Sequence, residues 1–386
     1  VRVDGRQIAV WYVALSLTPL LLFAFRDLWA LHFVLFLGVV TRWREVRDGF
    51  RRLTPEVWPL LLLVLWGAVS VLWSPASDAG QHAVEHLLFA ALTVWLAIAS
   101  PRPLSPVFIG AAVAMAAVSA EVMAGQPLRT LLPPEQSAAK DAVAAARGLT
   151  LGAALLPGLA LYFDRKGARR VGLALIALAA FAAFATPLAA LKVAFGFAFL
   201  AAFAAFISPR FGVVCIALFV VAIFLSPFLL TMTLPQPEDL RAPSWLGPSS
   251  EHRLIIWREV LDAWLAGDPL RGEGVRGSDV LADEAGMVSL SDGSSARAVS
   301  IHPHHVVIQV LYEHGLVGFG LLLAGALLNL RKLFRQNLAR ADAMAVCALS
   351  SGALVILSVE ADIWNIYTLS ALVIGALMIR SGGEAR

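Results

Sequence analysis

Cysteine is scarce in this chain: its 386 residues include two, Cys215 and Cys347, both inside apolar runs. Neither a disulfide framework nor a Cys-rich metal site is therefore available. Charge is scarce too. Asp, Glu, Lys and Arg make up 15% of the residues, where an ordinary soluble domain carries about a quarter. Apolar residues take their place, at 59% of the chain with a mean hydropathy of +0.77. The apolar runs far exceed the roughly 10-residue alternating strands of an outer-membrane barrel. An all-α integral membrane protein is expected. No internal repeat suggests the inverted halves of a secondary transporter.

Apolar runs bounded by charges or proline predict about 12 transmembrane helices, near 8–25, 28–40, 59–73, 87–100, 104–124, 149–163, 171–185, 188–207, 211–231, 315–330, 343–359 and 363–379. The first run ends at Arg26-Asp27 with no small-residue cleavage site, so it is expected to be a retained span rather than a signal peptide. Most of the 30 Lys and Arg fall on the side of the N-terminus, which puts both termini in the cytoplasm. That basic face is a topology signal and not a nucleic-acid footprint. The chain then divides into nine spans over 1–230, a large outer loop over 231–314, and three spans over 315–386.

Within the loop, Leu254, Trp257, Leu261, Trp264 and Leu265 recur at three- and four-residue steps between His252 and Ala266. This pattern predicts an amphipathic helix lying on the outer membrane surface. Arg276–Ser300 is rich in Gly, Ser, Ala and Asp and reads as a mobile excursion. From Ile301 to His314 a helical pattern resumes, and Glu313-His314 argues that it lies at the bilayer rim.

The densest chemical feature is His302-Pro303-His304-His305. A histidine cluster of this kind is compatible with an interfacial helix start, with a metal site needing a further ligand, or with acid-base chemistry. Metal readings also exist for Glu360-x-Asp362 and for His82 and His86, four apart around Glu85. Arg253 and Arg147 have surface readings as headgroup contacts, and Lys192, in an otherwise apolar stretch, has a snorkelling one. Arg258 and Asp262, at i,i+4, are expected to pair with each other.

Taken in order, Arg253 and Trp257, then Gly272-Glu273-Gly274, then His304-His305, nine intervening residues, Gly315 and Gly318, resemble the signature of the O-antigen ligase family and its polymerase relatives. His305 departs from it, standing where Asn, Ser or Gln is usual. The resemblance implies a GT-C-like glycosyltransferase of the bacterial inner membrane with a periplasmic active site. Its donor is an undecaprenyl-pyrophosphate-linked glycan and its acceptor the lipid A-core, or, for a polymerase, another lipid-linked repeat. It also implies His304 as general base, Arg147, Lys192 and Arg253 on the pyrophosphate, and His302, His305, Trp257, Gly272, Gly274, Gly315 and Gly318 in support. No cofactor and no metal are called for, since cationic side chains can hold the leaving group. A flippase, the rival of another class, calls for paired charges deep in several spans.

Overall fold

The computed structural model describes residues 54–98, 105–125, 144–234, 248–360 and 366–383. The expected spans at 8–25 and 28–40, and most of the outer segment at 125–148, lie outside these residues. The described chain is mostly helical. In order it forms α1 (Trp58–Val69, extended by a 3₁₀ turn at Ser70–Leu72), α2 (Ala79–Ile98), α3 (Ser105–Met123), α4 (Ala144–Ala153), α5 (Leu156–Arg165), α6 (Arg169–Ala185), α7 (Ala189–Ile207) and α8 (Pro209–Thr233). It continues with α9 (Pro248–Ala266), α10 (Gly277–Glu284), β1 (Met287–Ser289), β2 (Ser295–Arg297), α11 (Val306–Arg335), α12 (Arg340–Val359) and α13 (Ile366–Gly383).

Proline sets several helix starts. Pro59, Pro157 and Pro209 occupy the first positions of α1, α5 and α8, where a missing N–H costs nothing. Pro157 also corrects the expected span at 149–163. The helix there is broken into α4 and α5, because a proline cannot donate to the carbonyl one turn back.

Four described helices, α7, α8, α11 and α12, are long and apolar enough to cross a membrane. Large side chains such as Phe181, Phe199 and Leu218 stay exposed on α6, α7 and α8, the reverse of a soluble surface and suited to lipid. Inside, α7 packs along α12, α5 lies against α6 and α13, and α11 packs on α1, α8 and α9. One core gathers Phe108, Met115, Leu159, Leu191 and Met378. A second gathers Ile223, Phe224, Ile256, Leu261, Ile308 and Leu311, and so joins the helices that bear the loop to the loop itself.

The 248–305 segment departs from expectation in three ways. First, α9 buries Ile255, Ile256, Val260, Leu261 and Trp264 against protein, while Leu265 is exposed, so its apolar face is a core face of the protein. Second, Arg276–Ser300 contains α10 and an antiparallel β1–β2 hairpin in register Met287 to Arg297. Glu251, buried at the start of α9, accepts hydrogen bonds from Ser291 and fixes the hairpin's turn. Strands this short leave no periodicity to read. Third, the helix expected from Ile301 starts at Val306, and Glu313 and His314 are buried just before its break at Gly315.

Candidate active site

The platform of the site is a broken helix. α11 is interrupted at Gly315, whose φ of 60° and ψ of −163° only glycine adopts readily. A break in a membrane-compatible helix exposes carbonyls and amides that other protein groups must satisfy, and the loop 269–275 does this. Glu273 N and Gly274 N donate to the carbonyls of Tyr312 and Glu313, both at 2.8 Å, and Trp66 Nε1 donates to that of His314 at 3.1 Å. Beyond the break, Leu316 N and Val317 N donate to Pro269 and Leu270 carbonyls. A Cβ on Gly272 would lie 2.5 Å from Gly315 N, and one on Gly315 would lie 2.2 Å from the Leu270 oxygen. On Gly318 it would lie 2.3 Å from His314 Cβ. Gly272, Gly274 and Gly315 are thus one assembly of close backbone contacts, and Gly318 leaves room for the buried His314 side chain. Trp73 Nε1 and Ser74 Oγ, donating to Gly272 and Val275 carbonyls, tie it to the end of α1.

A proline builds the next layer. Pro227 inside α8 leaves the Ile223 carbonyl without its helical donor, and Ser226 Oγ–H donates to it at 2.7 Å. The Ser226 oxygen then accepts from His305 Nε2 at 3.0 Å. His305 Nδ1 accepts from Ile308 N at 3.4 Å, so His305 is the N-cap of α11 and carries its proton on Nε2. Asn and Ser are the strongest N-caps, and an imidazole serves the same purpose here. Burial pushes the His305 imidazole down to about 4, which keeps it neutral in this role. Trp257 Nε1 donates to the Pro303 carbonyl at 2.9 Å, and its ring meets His305 edge-on at 5.3 Å. Trp257→Phe keeps the ring and removes that hydrogen bond. It is expected to cost about 1 kcal/mol, read as a lowered thermal unfolding midpoint in detergent.

His304 stands at the open edge of this scaffold with a φ of 53°, a left-handed conformation uncommon for a residue with a side chain. Its Nδ1 lies 3.2 Å from the Glu360 carbonyl oxygen, just past the end of α12. A carbonyl only accepts, so the proton sits on Nδ1 and the Nε2 lone pair is left for chemistry. His302 packs edge-on against the His304 ring at 4.2 Å. Arg253, on α9, reaches the same helix end. Its Nε donates to the Val359 carbonyl at 3.0 Å, Nη1 to Ser249 Oγ at 2.8 Å, and Nη2 to Glu360 Oε2 at 3.4 Å.

Burial pushes the His304 imidazole down to about 3, with His302 and Arg253 acting in the same direction and the Glu360 hydrogen bond opposing them. The unfolded chain, with a histidine near 6.5, therefore binds the extra proton between these values. Stability is expected to rise with pH from about 3 to about 6.5 through this group and to be flat above. Thermal unfolding across that window tests this, and His304→Gln should show a shallower fall on acidification than the unmodified chain.

The remaining expected residues are placed as follows. Lys192 is half-buried in the first turn of α7 and makes no ion pair with a described residue. Arg147 belongs to α4, and its side chain lies outside the described part of the structure. Arg258 pairs with Asp262 at 2.9 Å, and its Nη1 also donates to the Thr231 and Leu234 carbonyls, closing the end of α8. His82 sits between Asp78 and Glu85, at 3.3 and 3.2 Å. Among the described residues no three His, Cys, Asp or Glu side chains converge as a metal set, and Asp362 lies outside them.

An apolar cavity of about 780 Å³ runs beneath, bounded by α5, α6, α7, α12 and α13. Along α12 it extends from Arg340 to Ile356, about 24 Å at 1.5 Å per residue. At the Ile356 end its walls include Leu191, beside Lys192, and Thr150, one turn beyond Arg147. The same end of α12 carries Val359 and Glu360, the anchors of Arg253 and His304.

No protein-family profile and no curated protein matches this chain. Sequence reasoning missed Ser226, Trp66, Trp73 and the organising part of Glu360. Pro227 in an apolar run was the available signal for Ser226, since a freed carbonyl needs a donor. Nothing in the chain order brings Glu360 to Arg253, 107 residues away.

Proposed function

We propose that this chain is an O-antigen ligase-type glycosyltransferase with about 12 spans, both termini cytoplasmic and its site on the periplasmic face of the bacterial inner membrane. It transfers a glycan from undecaprenyl pyrophosphate to the lipid A-core. The observation that carries the reading is His304, with Nδ1 held by a backbone carbonyl, next to Arg253, both anchored on α12 just past Ile356, the last α12 residue lining the apolar cavity. A polyprenyl chain suits such a cavity, because its walls are nearly all alkyl and aromatic groups. Its pyrophosphate then lies level with the elements bearing Arg147, Lys192 and Arg253.

The chemistry proceeds in three coupled events. The acceptor hydroxyl gives its proton to His304 Nε2, its oxygen attacks the anomeric carbon from the face opposite the phosphate, and the C–O bond to pyrophosphate breaks with inversion. The cations take up the charge that develops on the departing oxygen. A base near 3 is a weak one in the empty site. Pyrophosphate offsets the push of Arg253 and adds negative charge of its own, which raises the affinity of His304 for a proton once donor is bound. The site is thereby tuned by its substrate.

Protein reconstituted with undecaprenyl-pyrophosphate glycan and offered lipid A-core tests the reading. Glycan on the lipid A-core is the expected product. Extension of the lipid-linked donor instead identifies a polymerase, and no product with either acceptor overturns the transferase reading.

A further inference from the structure

Arg253 has three kinds of partner, and they differ in what a bound anion can replace. Val359 O and Ser249 Oγ are neutral acceptors that hold the Nε and Nη1 edges at 3.0 and 2.8 Å. They keep the guanidinium in place with or without a counter-charge. Glu360 is the third partner, and it faces Nη2 at 3.4 Å, longer than the 2.7–2.9 Å usual for a charge-assisted bond. Both side chains of that pair are 20% exposed, so the pair is partly buried and still in contact with solvent. Meanwhile the Glu360 main chain has a separate task, since its carbonyl holds His304 Nδ1. Side chain and backbone of one residue thus touch the anion-binding cation and the base independently.

We propose that Glu360 is the exchangeable counter-charge of the anion site: its carboxylate occupies the Arg253 edge that donor pyrophosphate takes, so that donor binding swaps one anion for another. The inference rests on the reading of Arg253 as a pyrophosphate ligand. Physically, the carboxylate stabilises an isolated cation in the empty protein and then opposes the incoming phosphate. After transfer it competes with the departing polyprenyl pyrophosphate and speeds its release. A permanent, uncompensated arginine would hold the product as tightly as the donor, and uniform binding of that kind does nothing for turnover.

Inorganic pyrophosphate titrated calorimetrically into the purified full chain, in EDTA, tests this. Glu360→Gln removes the competing charge and should tighten pyrophosphate by up to about fivefold, the upper end for a partly exposed ion pair. Arg253→Gln should weaken binding, and the double variant should show no gain from the glutamine. In transfer assays Glu360→Gln should lower both KM for donor and kcat, because product leaves more slowly. Unchanged or weaker pyrophosphate binding by Glu360→Gln overturns the proposal, as does a gain that persists without Arg253, or an absence of binding in all forms. Should Glu360→Gln fail to fold, Glu360→Asp retains the charge on a shorter arm. Its affinity should then exceed that of the unmodified chain by a smaller factor, and a loss overturns the proposal. Transfer by the unmodified chain reads the underlying assignment separately. Transfer without the affinity gain overturns the counter-charge alone, whereas the gain without any transfer overturns the transferase reading alone.

Discussion

His304→Gln is expected to lower kcat for glycan transfer by about 10²–10⁴, the usual contribution of a positioned general base, with little change in KM for the donor. Glutamine is close to imidazole in size with its amide near the Nε2 position, and His304→Asn, whose amide falls at Nδ1, is the companion variant that keeps a donor on the Glu360 carbonyl. What disappears is a group able to take a proton. The contrast with Arg253→Gln is informative, since that change should raise donor KM as well as lower kcat by removing a cation from the pyrophosphate. A merely interfacial histidine cluster predicts neither result. Of the neighbouring histidines, His305 is committed at both nitrogens, to Ser226 and to Ile308 N, and His252 Nε2 is 2.7 Å from the Arg297 carbonyl, which leaves His302, packed on the His304 ring, as the control to substitute alongside it.

Gly315→Ala should be the most damaging single methyl group in the chain. The new Cβ would meet the Leu270 carbonyl oxygen at 2.2 Å and Arg271 backbone carbon at 2.7 Å, and neither is the end of a flexible side chain. The backbone conformation at Gly315 adds its own penalty, since φ of 60° with ψ of −163° is nearly closed to residues with a side chain. Backbone strain and overpacking each cost about 1–3 kcal/mol, so a total of about 2–6 kcal/mol is expected. Thermal unfolding in detergent and the yield of folded protein measure it. Gly320→Ala provides the control five residues along the same helix, where an added Cβ meets nothing within 4 Å. It should be neutral or slightly stabilising, because alanine is the better helix former.

Much of this fold can be read from composition and periodicity, and the places where reading fails have physical causes. Long apolar runs locate α7, α8 and α12 within a few residues, because a membrane-compatible helix must be continuous and apolar whatever its neighbours are. The i,i+4 spacing of Arg258 and Asp262 also suffices, since one helix determines their distance. The side of α9 that is buried is different. Ile255, Ile256 and Val260 are as apolar as the residues at Leu254 and Leu265, and only the position of α8 and α11 decides which stripe is covered. The β1–β2 hairpin is invisible for another reason: its six strand residues include Ser, Ala and Arg, and it is held by Glu251 from outside the segment.

The candidate site shows the same division. Positions that need a glycine were legible as a spaced motif, but the reason for the spacing was not. Gly272 lies against Gly315 and Gly274 against Ser70 and Ser74, its N–H on the Glu313 carbonyl, because a loop repairs a broken helix, and this requires knowing that the helix breaks. His304 was legible as a chemical group, and its tautomer was not, because the carbonyl that fixes it belongs to Glu360 at the far end of α12. Glu360 appeared in the sequence as half of an acidic pair. In three dimensions it is the residue on which His304 and Arg253 converge.

The central claim is that this chain moves a glycan from a polyprenyl pyrophosphate to an acceptor hydroxyl. The most direct measurement is a single-turnover reaction of purified protein with donor and lipid A-core in EDTA, counting free polyprenyl pyrophosphate against glycosylated lipid and determining the configuration of the new bond. The account predicts one pyrophosphate lipid released per glycan transferred, with the anomeric centre inverted. Retention of configuration, or release of pyrophosphate lipid without a glycosylated acceptor, would contradict it.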